Sequence, residues 1–211
     1  VLPILDKLTK TEQNNKVNTI IIAPTRELAK QIDMQIEGFS YFTNASSYPI
    51  YGGGTGVEFD NQKQALQKGS DIIICTPGRL LAHLDFDYFD TSSVKHLILD
   101  EADRMLDIGF RPDIEKILRR CPKNRQTLLL SATVPGPVER LARRYMRDPE
   151  SLNFSPKELS GETIDQFYFT VDQDRKYELL KRLLEREEPR QAIVFCRTKR
   201  GTDRLAVKLG K

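Results

Sequence analysis

Leu97-Ile98-Leu99-Asp100-Glu101-Ala102-Asp103 places three aliphatic residues directly before a group of three carboxylates, and Arg104-Met105-Leu106-Asp107 continues it as a helix-like segment. An apolar run that stops so abruptly reads as a buried strand handing acids to the edge of a sheet, where open α/β proteins bind ligands. Asp100 and Glu101 would end that strand, with Asp103 about one helical turn beyond. Two readings of the acids stand side by side. The cluster suits a hydrated Mg²⁺ on a nucleotide, because Mg²⁺ takes one or two carboxylates and keeps several waters. Acids in a first helical turn also complement the helix dipole without any ligand.

Three further runs repeat the plan. Thr19-Ile20-Ile21-Ile22-Ala23 leads into Pro24-Thr25-Arg26 and an amphipathic helix carrying Leu28, Ile32, Ile36 and Phe39. Ile72-Ile73-Ile74-Cys75 leads into Thr76-Pro77-Gly78-Arg79 and Leu80-Leu81-Ala82. Thr127-Leu128-Leu129-Leu130 leads into Ser131-Ala132-Thr133 and a helix from Pro135 through Met146. A shorter strand, Tyr48-Pro49-Ile50-Tyr51, runs into Gly52-Gly53-Gly54. Continuous apolar strands separated by helices predict an α/β fold with a parallel sheet buried on both faces. Turns after successive strands then lie along one edge. Thr25/Arg26, Thr76/Arg79, Asp100/Glu101/Asp103 and Ser131/Thr133 are therefore expected to converge. Ser or Thr at a helix start is ordinarily an N-cap. Beside Arg26 and Arg79 the same turns also fit phosphate, because free helix N–H groups and a guanidinium both favour it.

The chain has 211 residues, 39% hydrophobic and 30% charged, which describes a folded globular protein with room for one core and part of another. No apolar run approaches the ~20 residues of a membrane span, and no secretory signal is visible. Cys75, Cys121 and Cys196 have no zinc-like spacing and predict buried, reduced thiols in a cytoplasmic protein. His83 and His96 read as structural. Residues 175–211 hold 12 Lys/Arg against 5 Asp/Glu, whereas 1–174 hold 21 against 25. That basic end fits a polyanion. It equally fits a solvated helix face, since Lys176, Lys181, Arg182 and Arg186 alternate with Leu179, Leu180, Leu183 and Leu184. Residues 154–163 are polar, with Pro156, Ser160 and Gly161, and read as a linker. It would join a domain over 1–153 to the opening of a second over 164–211. In that second segment a strand is expected over 166–171, a helix over 174–187, a strand over 192–196 and a helix from near Thr202.

Together these residues resemble the DEAD-box RNA helicases, and the resemblance covers nearly the whole chain. Pro24-Thr25-Arg26-Glu27-Leu28-Ala29 is similar to the family's motif Ia, Gly52-Gly53 to its glycine doublet and Thr76-Pro77-Gly78-Arg79 to motif Ib. Asp100 to Asp103 resembles motif II, Ser131-Ala132-Thr133 motif III, and Val194-Phe195-Cys196-Arg197-Thr198 motif IV. The resemblance implies a RecA-like parallel sheet flanked by helices, of the P-loop NTPase type, over 1–153, and the start of a second RecA-like domain over 164–211. It implies ATP and Mg²⁺ as ligands, and RNA held through phosphates and 2′-hydroxyls with little base specificity. Asp100 would hold Mg²⁺ through water, and Glu101 would orient or deprotonate the water attacking the γ-phosphate. Asp103 would hydrogen-bond Ser131 and Thr133 and link the nucleotide to strand separation. Thr25, Arg26, Gly53, Thr76 and Arg79 would grip RNA, and Thr198, with Lys199 or Arg200, would continue the grip in the second domain.

The phosphate-binding loop G-x-x-x-x-G-K-[ST] occurs nowhere in the 211 residues. Val1 to Leu8 resembles the segment just after that loop in the family, and the Q motif and motifs V and VI find no match. The expectation is an internal piece of a longer ATP-dependent RNA helicase, cytoplasmic and without a membrane span, whose flanks recruit protein partners. Alone, the piece is expected not to hydrolyse ATP detectably and, with a strand edge left open, to be prone to aggregate. Two other readings remain. One is a superfamily-two motor acting on DNA, which more often lacks the pairing of Pro-Thr-Arg-Glu-Leu-Ala with Thr-Pro-Gly-Arg. The other is a non-catalytic RNA-binding module.

Overall fold

Runs of four aliphatic residues bury both sides of a strand, and the sheet grows from them. The computed structural model describes residues 1–10, 16–53, 56–154 and 165–210. Its strands are β1 (Thr19–Ile22), β2 (Ser47–Ile50), β3 (Ile72–Cys75), β4 (His96–Leu99) and β5 (Gln126–Leu129). They form one sheet of order β2-β3-β1-β4-β5 in which every neighbouring pair is parallel. The expected parallel α/β sheet is therefore present, with Asp100 and Glu101 lying just past the end of β4 rather than within it.

Successive residues of each central strand serve opposite faces, as the two-residue strand period requires. On one face Ile21, Ile72, Ile74 and Ile98 pack against Leu5 and Leu8 of α1 (Leu2–Thr9) and Ala29, Ile32 and Ile36 of α2 (Arg26–Ser40). On the other, Ile20, Ile22, Ile73, Leu97 and Leu99 meet five helices. These are α3 (Gly56–Lys68), α4 (Pro77–Leu84), α5 (Ala102–Ile108), α6 (Arg111–Arg120) and α7 (Gly136–Tyr145). Each aliphatic side chain so enclosed contributes roughly 1.5–3 kcal/mol.

Burial on both faces holds for β1 and β3 but not for β5, whose residues alternate between exposed and half-buried. β5 pairs only with β4 among the described residues, and Leu128 and Leu130 reach solvent there. Helices α1, α3 and α6 have no counterpart in the sequence reading. In α3 the buried residues are Gln62 and Leu66, so no apolar stripe announces it.

The chain divides into two compact units, Val1–Ser155 and Pro156–Lys211. Apart from Phe154, the expected linker over 154–163 lies outside the described residues. In the second unit, α8 (Lys176–Glu187) and α9 (Lys199–Leu209) are tied by Tyr177, whose Oη donates to the Lys208 carbonyl at 2.9 Å. The strands expected over 166–171 and 192–196 do not form: Phe167, Tyr168, Ile193 and Phe195 are largely exposed and their backbone is irregular. β-Propensity expresses fit to neighbouring strands more than an intrinsic backbone preference, and no ladder partner stands beside these segments among the described residues. Cys75 and Cys121 are buried free thiols as expected, whereas Cys196 is only half-buried.

Candidate functional site

The parallel register aligns the strand ends. Ile22 pairs with Cys75 and Leu99, Cys75 with Ile50, and Leu99 with Leu129. Ala23–Arg26, Tyr51–Gly53, Thr76–Arg79, Asp100–Asp103 and Leu130–Thr133 therefore all leave the sheet along one edge. The ladder continues a residue past the strands: Ala23 N donates to the Cys75 carbonyl, Asp100 N to that of Ile22 and Leu130 N to that of Leu99, each at 2.9 Å. Those bonds fix the backbone from which the candidate residues project.

After Leu99 the backbone turns sharply. Asp100 is half-buried, and its Oδ1 accepts the Glu101 N–H at 3.0 Å. Burial pushes its carboxyl above the ordinary carboxylate range, with the Glu101 amide opposing. Glu101 caps α5 in the left-handed region, at φ 49° and ψ 52°, a conformation costly to a residue with a Cβ. Its Oε2 pairs with Arg104 Nη1 at 3.0 Å. Asp103 joins this segment to the turn after β5. Its Oδ2 accepts from Thr133 N at 2.9 Å and Thr133 Oγ1 at 2.8 Å, and its own N–H donates to Ser131 Oγ at 3.2 Å. Burial raises the Asp103 carboxyl, but hydrogen bonds from Thr133, Arg104 and Ser131 outweigh it and hold the group below its usual range.

A hydrated divalent cation fits Asp100, because a carboxylate disfavoured by burial gains most from a nearby positive charge. Among the described residues no group of three or more His, Cys, Asp or Glu gathers as a metal cage.

At the other end of the edge, the exposed Arg26 side chain lies against Gly53. Gly53 has φ +94°, and a Cβ there would run into the Arg26 guanidinium. Thr25 caps α2 by accepting the Leu28 N–H at 3.2 Å, and Thr198 caps α9 by accepting that of Gly201 at 3.1 Å. Thr76 occupies the equivalent place on α4 without such a bond, which leaves its hydroxyl uncommitted among the described residues. Thr198 belongs to the second unit.

Arg79 is half-buried and held. Its Nε donates to Gln62 Oε1 at 2.7 Å, and its guanidinium carbon stands 4.6 Å from the Phe59 ring centroid. Its Nη2 is buried without a partner among the described residues. Behind it, His83 is fully buried, with Nε2 3.0 Å from Gln62 Oε1 and Nδ1 2.7 Å from Tyr88 Oη. An amide oxygen only accepts, so His83 Nε2 carries the hydrogen and Tyr88 donates to Nδ1. Burial, reinforced by Arg79, lowers His83 to about 4 and keeps it neutral.

Gln62, Phe59 and Tyr88 belong to none of the sequence motifs, yet all three surround Arg79 and His83. The one available signal was the spacing of Phe59, Gln62 and Leu66 on one helical face, too polar to stand out as an apolar stripe.

Comparison with known proteins matches this arrangement. A family model described as DEAD/DEAH box helicase matches residues 1–141. The DEAD-box ATP-dependent RNA helicase CshA of Bacillus subtilis is 42% identical over 208 residues, covering 99% of this chain and 41% of the relative. The ATP-dependent RNA helicase CshA of Listeria monocytogenes is 41% identical over 205 residues, covering 97% and 38% respectively. A crystal structure of a DEAD box protein from the hyperthermophile Methanococcus jannaschii superposes with a TM-score of 0.63 at 40% identity, over 93% of this chain and 52% of that one. The chain thus spans about two fifths of the length of the curated relatives it matches. With its five-stranded parallel sheet, its aligned strand-end turns and a matching model over most of its length, the chain belongs to the DEAD/DEAH box helicase family.

Proposed function

We propose that the chain is part of an ATP-dependent RNA helicase, an RNA-stimulated ATPase that opens short duplexes locally. The observation that carries this reading is the pair of hydrogen bonds from Thr133 to Asp103, which ties the acidic turn after β4 to the turn after β5. Bonds of this kind would pass a shift of one turn to the other, as coupling of a nucleotide site to a mechanical element requires.

Asp100 would hold Mg²⁺ through water, and the chemistry such an ion would supply there is neutralisation of phosphate charge on ATP. Glu101 would orient the attacking water or accept its proton. Its pairing with Arg104 is exposed, and such pairs are worth little, so its carboxylate is readily redirected. Arg26, Gly53, Thr76, Thr25 and Arg79 would receive RNA phosphates and sugars along the same edge, with Gly53 permitting close backbone approach. Thr198, in the second unit, is proposed as a further RNA contact in its own right. We assign residues 1–153 to a RecA-like domain and 164–211 to the opening of a second one. A cytoplasmic location fits the buried free thiols Cys75 and Cys121. No helix among the described residues is long and apolar enough to cross a membrane.

The test is RNA-stimulated ATP hydrolysis by the full-length protein and its Glu101→Gln variant. Stimulated turnover by the first, lost in the second with RNA binding retained, supports the reading. Equal turnover by both refutes the role of Glu101. The 211 residues alone contain no phosphate-binding loop and are expected to show no turnover above the same variant.

A further inference from the structure

Gln62 lies outside every motif named above, yet it is 5% exposed and its amide is used at both ends. Its Nε2 donates to the carbonyl of Tyr51, the residue just before Gly52-Gly53, at 3.2 Å. That bond fixes which end of the amide faces inward, so Oε1 meets Arg79 Nε and His83 Nε2. One turn earlier in α3, Phe59 lies under the Arg79 guanidinium and stacks on the His83 ring with centroids 4.3 Å apart. The guanidinium is thus gripped on its edge by Gln62 and on its face by Phe59. His83, tethered by Tyr88, in turn constrains Gln62.

We propose that Gln62 is a positioning residue for RNA binding: its carboxamide locks the Arg79 guanidinium to the turn bearing Gly52-Gly53, so that both segments meet RNA as one preformed surface. This rests on the reading of Arg79 and Gly53 as RNA contacts. The physical gain is preorganisation. A free arginine gives up much rotamer freedom when it is fixed on a phosphate, whereas one already held by edge and face gives up less. Immobilising such a side chain costs about 0.5–1.5 kcal/mol, or roughly twofold to tenfold in affinity.

The experiment is a double-mutant cycle on the full-length protein, read as the affinity for a fluorescein-labelled single-stranded oligouridylate. Gln62→Met keeps the length and apolar stem of the side chain while removing its hydrogen bonds. The expected result is a loss of roughly twofold to tenfold when Arg79 is present. In an Arg79→Ala background the same change should leave affinity within about twofold. A role confined to supporting the fold weakens binding in both backgrounds, and that outcome overturns the proposal. No loss with Arg79 present overturns it too. If Arg79→Ala alone leaves affinity unchanged, the reading of Arg79 as an RNA contact falls first, a result distinct from the other two. Should Gln62→Met fail to fold, NMR of the unaltered protein decides. The Arg79 Nε–H resonance, identified by its loss in Arg79→Lys, should be protected from exchange with water, and rapid exchange overturns the proposal.

Discussion

Thr133 donates twice to a single oxygen of Asp103, from its backbone N at 2.9 Å and from its hydroxyl at 2.8 Å, across 30 residues of sequence. No other side-chain carboxylate at this edge joins two strand ends among the described residues. Thr133→Val preserves the shape and the backbone bond but removes the hydroxyl. It should lower stability by about 0.5–1.5 kcal/mol, read as a shift in urea midpoint. In an Asp103→Ala background the same change should cost distinctly less; additive losses would mean the hydroxyl bond contributes nothing. In the full-length protein, Thr133→Val should reduce unwinding more than ATP hydrolysis.

Gly53 and Arg26 share one small volume. Gly53→Ala places a Cβ where the guanidinium lies, in a backbone conformation at φ +94° that favours glycine. Because Arg26 is long and exposed, the collision moves the side chain rather than the fold, and the backbone strain remains. Stability should fall by about 1–2 kcal/mol, and RNA affinity should fall as Arg26 is displaced. In an Arg26→Ala background the stability loss should persist and the affinity loss should largely vanish.

Arg26→Ala alone should weaken RNA binding about equally for every sequence tested. It should also reduce the slope of log affinity against log salt by about one phosphate contact. An unchanged slope removes Arg26 from the phosphate-binding set.

Glu101 occupies the left-handed region at φ 49°, where a glycine sits without strain. Glu101→Gly should leave stability unchanged or raise it by up to about 1 kcal/mol, because relief of strain offsets the added chain entropy. ATP hydrolysis by the full-length protein should be lost in the same variant. A clear fall in denaturation midpoint would show that the pairing with Arg104 outweighs the strain.

His83 carries a pH signature. Its ordinary value is 6.5 and burial lowers it to about 4 in the folded protein, so between those values the unfolded chain binds more protons. Its contribution to stability is complete above pH 6.5 and is lost as pH falls through about 4. Replacing it by glutamine removes that titration. The denaturation midpoint of His83→Gln should therefore fall less steeply over this window than that of the unaltered protein.

Much of the fold is legible because it is local. Ile20-Ile21-Ile22, Ile72-Ile73-Ile74 and Leu97-Ile98-Leu99 are too continuously apolar for anything but the interior, and the turns after them carry their own helix-starting residues. The acidic turn and Ser131-Ala132-Thr133 are likewise visible as short strings at strand ends. Helix α3 is not, because its inward face is held by an amide and one leucine rather than by an apolar stripe. The second unit misleads in the opposite sense: Gln166 to Val171 has strand-forming residues, but a strand is completed only by a neighbour.

By itself the sequence determined the four apolar strands of the first unit with the turns that follow them, the acids offered at one edge, and the family to which the chain belongs, since hydrophobic period and short motifs are properties of contiguous residues. Only the tertiary structure decided which of those residues touch. The 30-residue span from Asp103 to Thr133, the contact of Arg26 with Gly53 and the 17-residue reach from Gln62 to Arg79 depend on parallel strands brought into register by burial of the aliphatic core. No local pattern encodes such pairings, because the hydrogen bonds that make them form only after the sheet has brought distant turns to one edge.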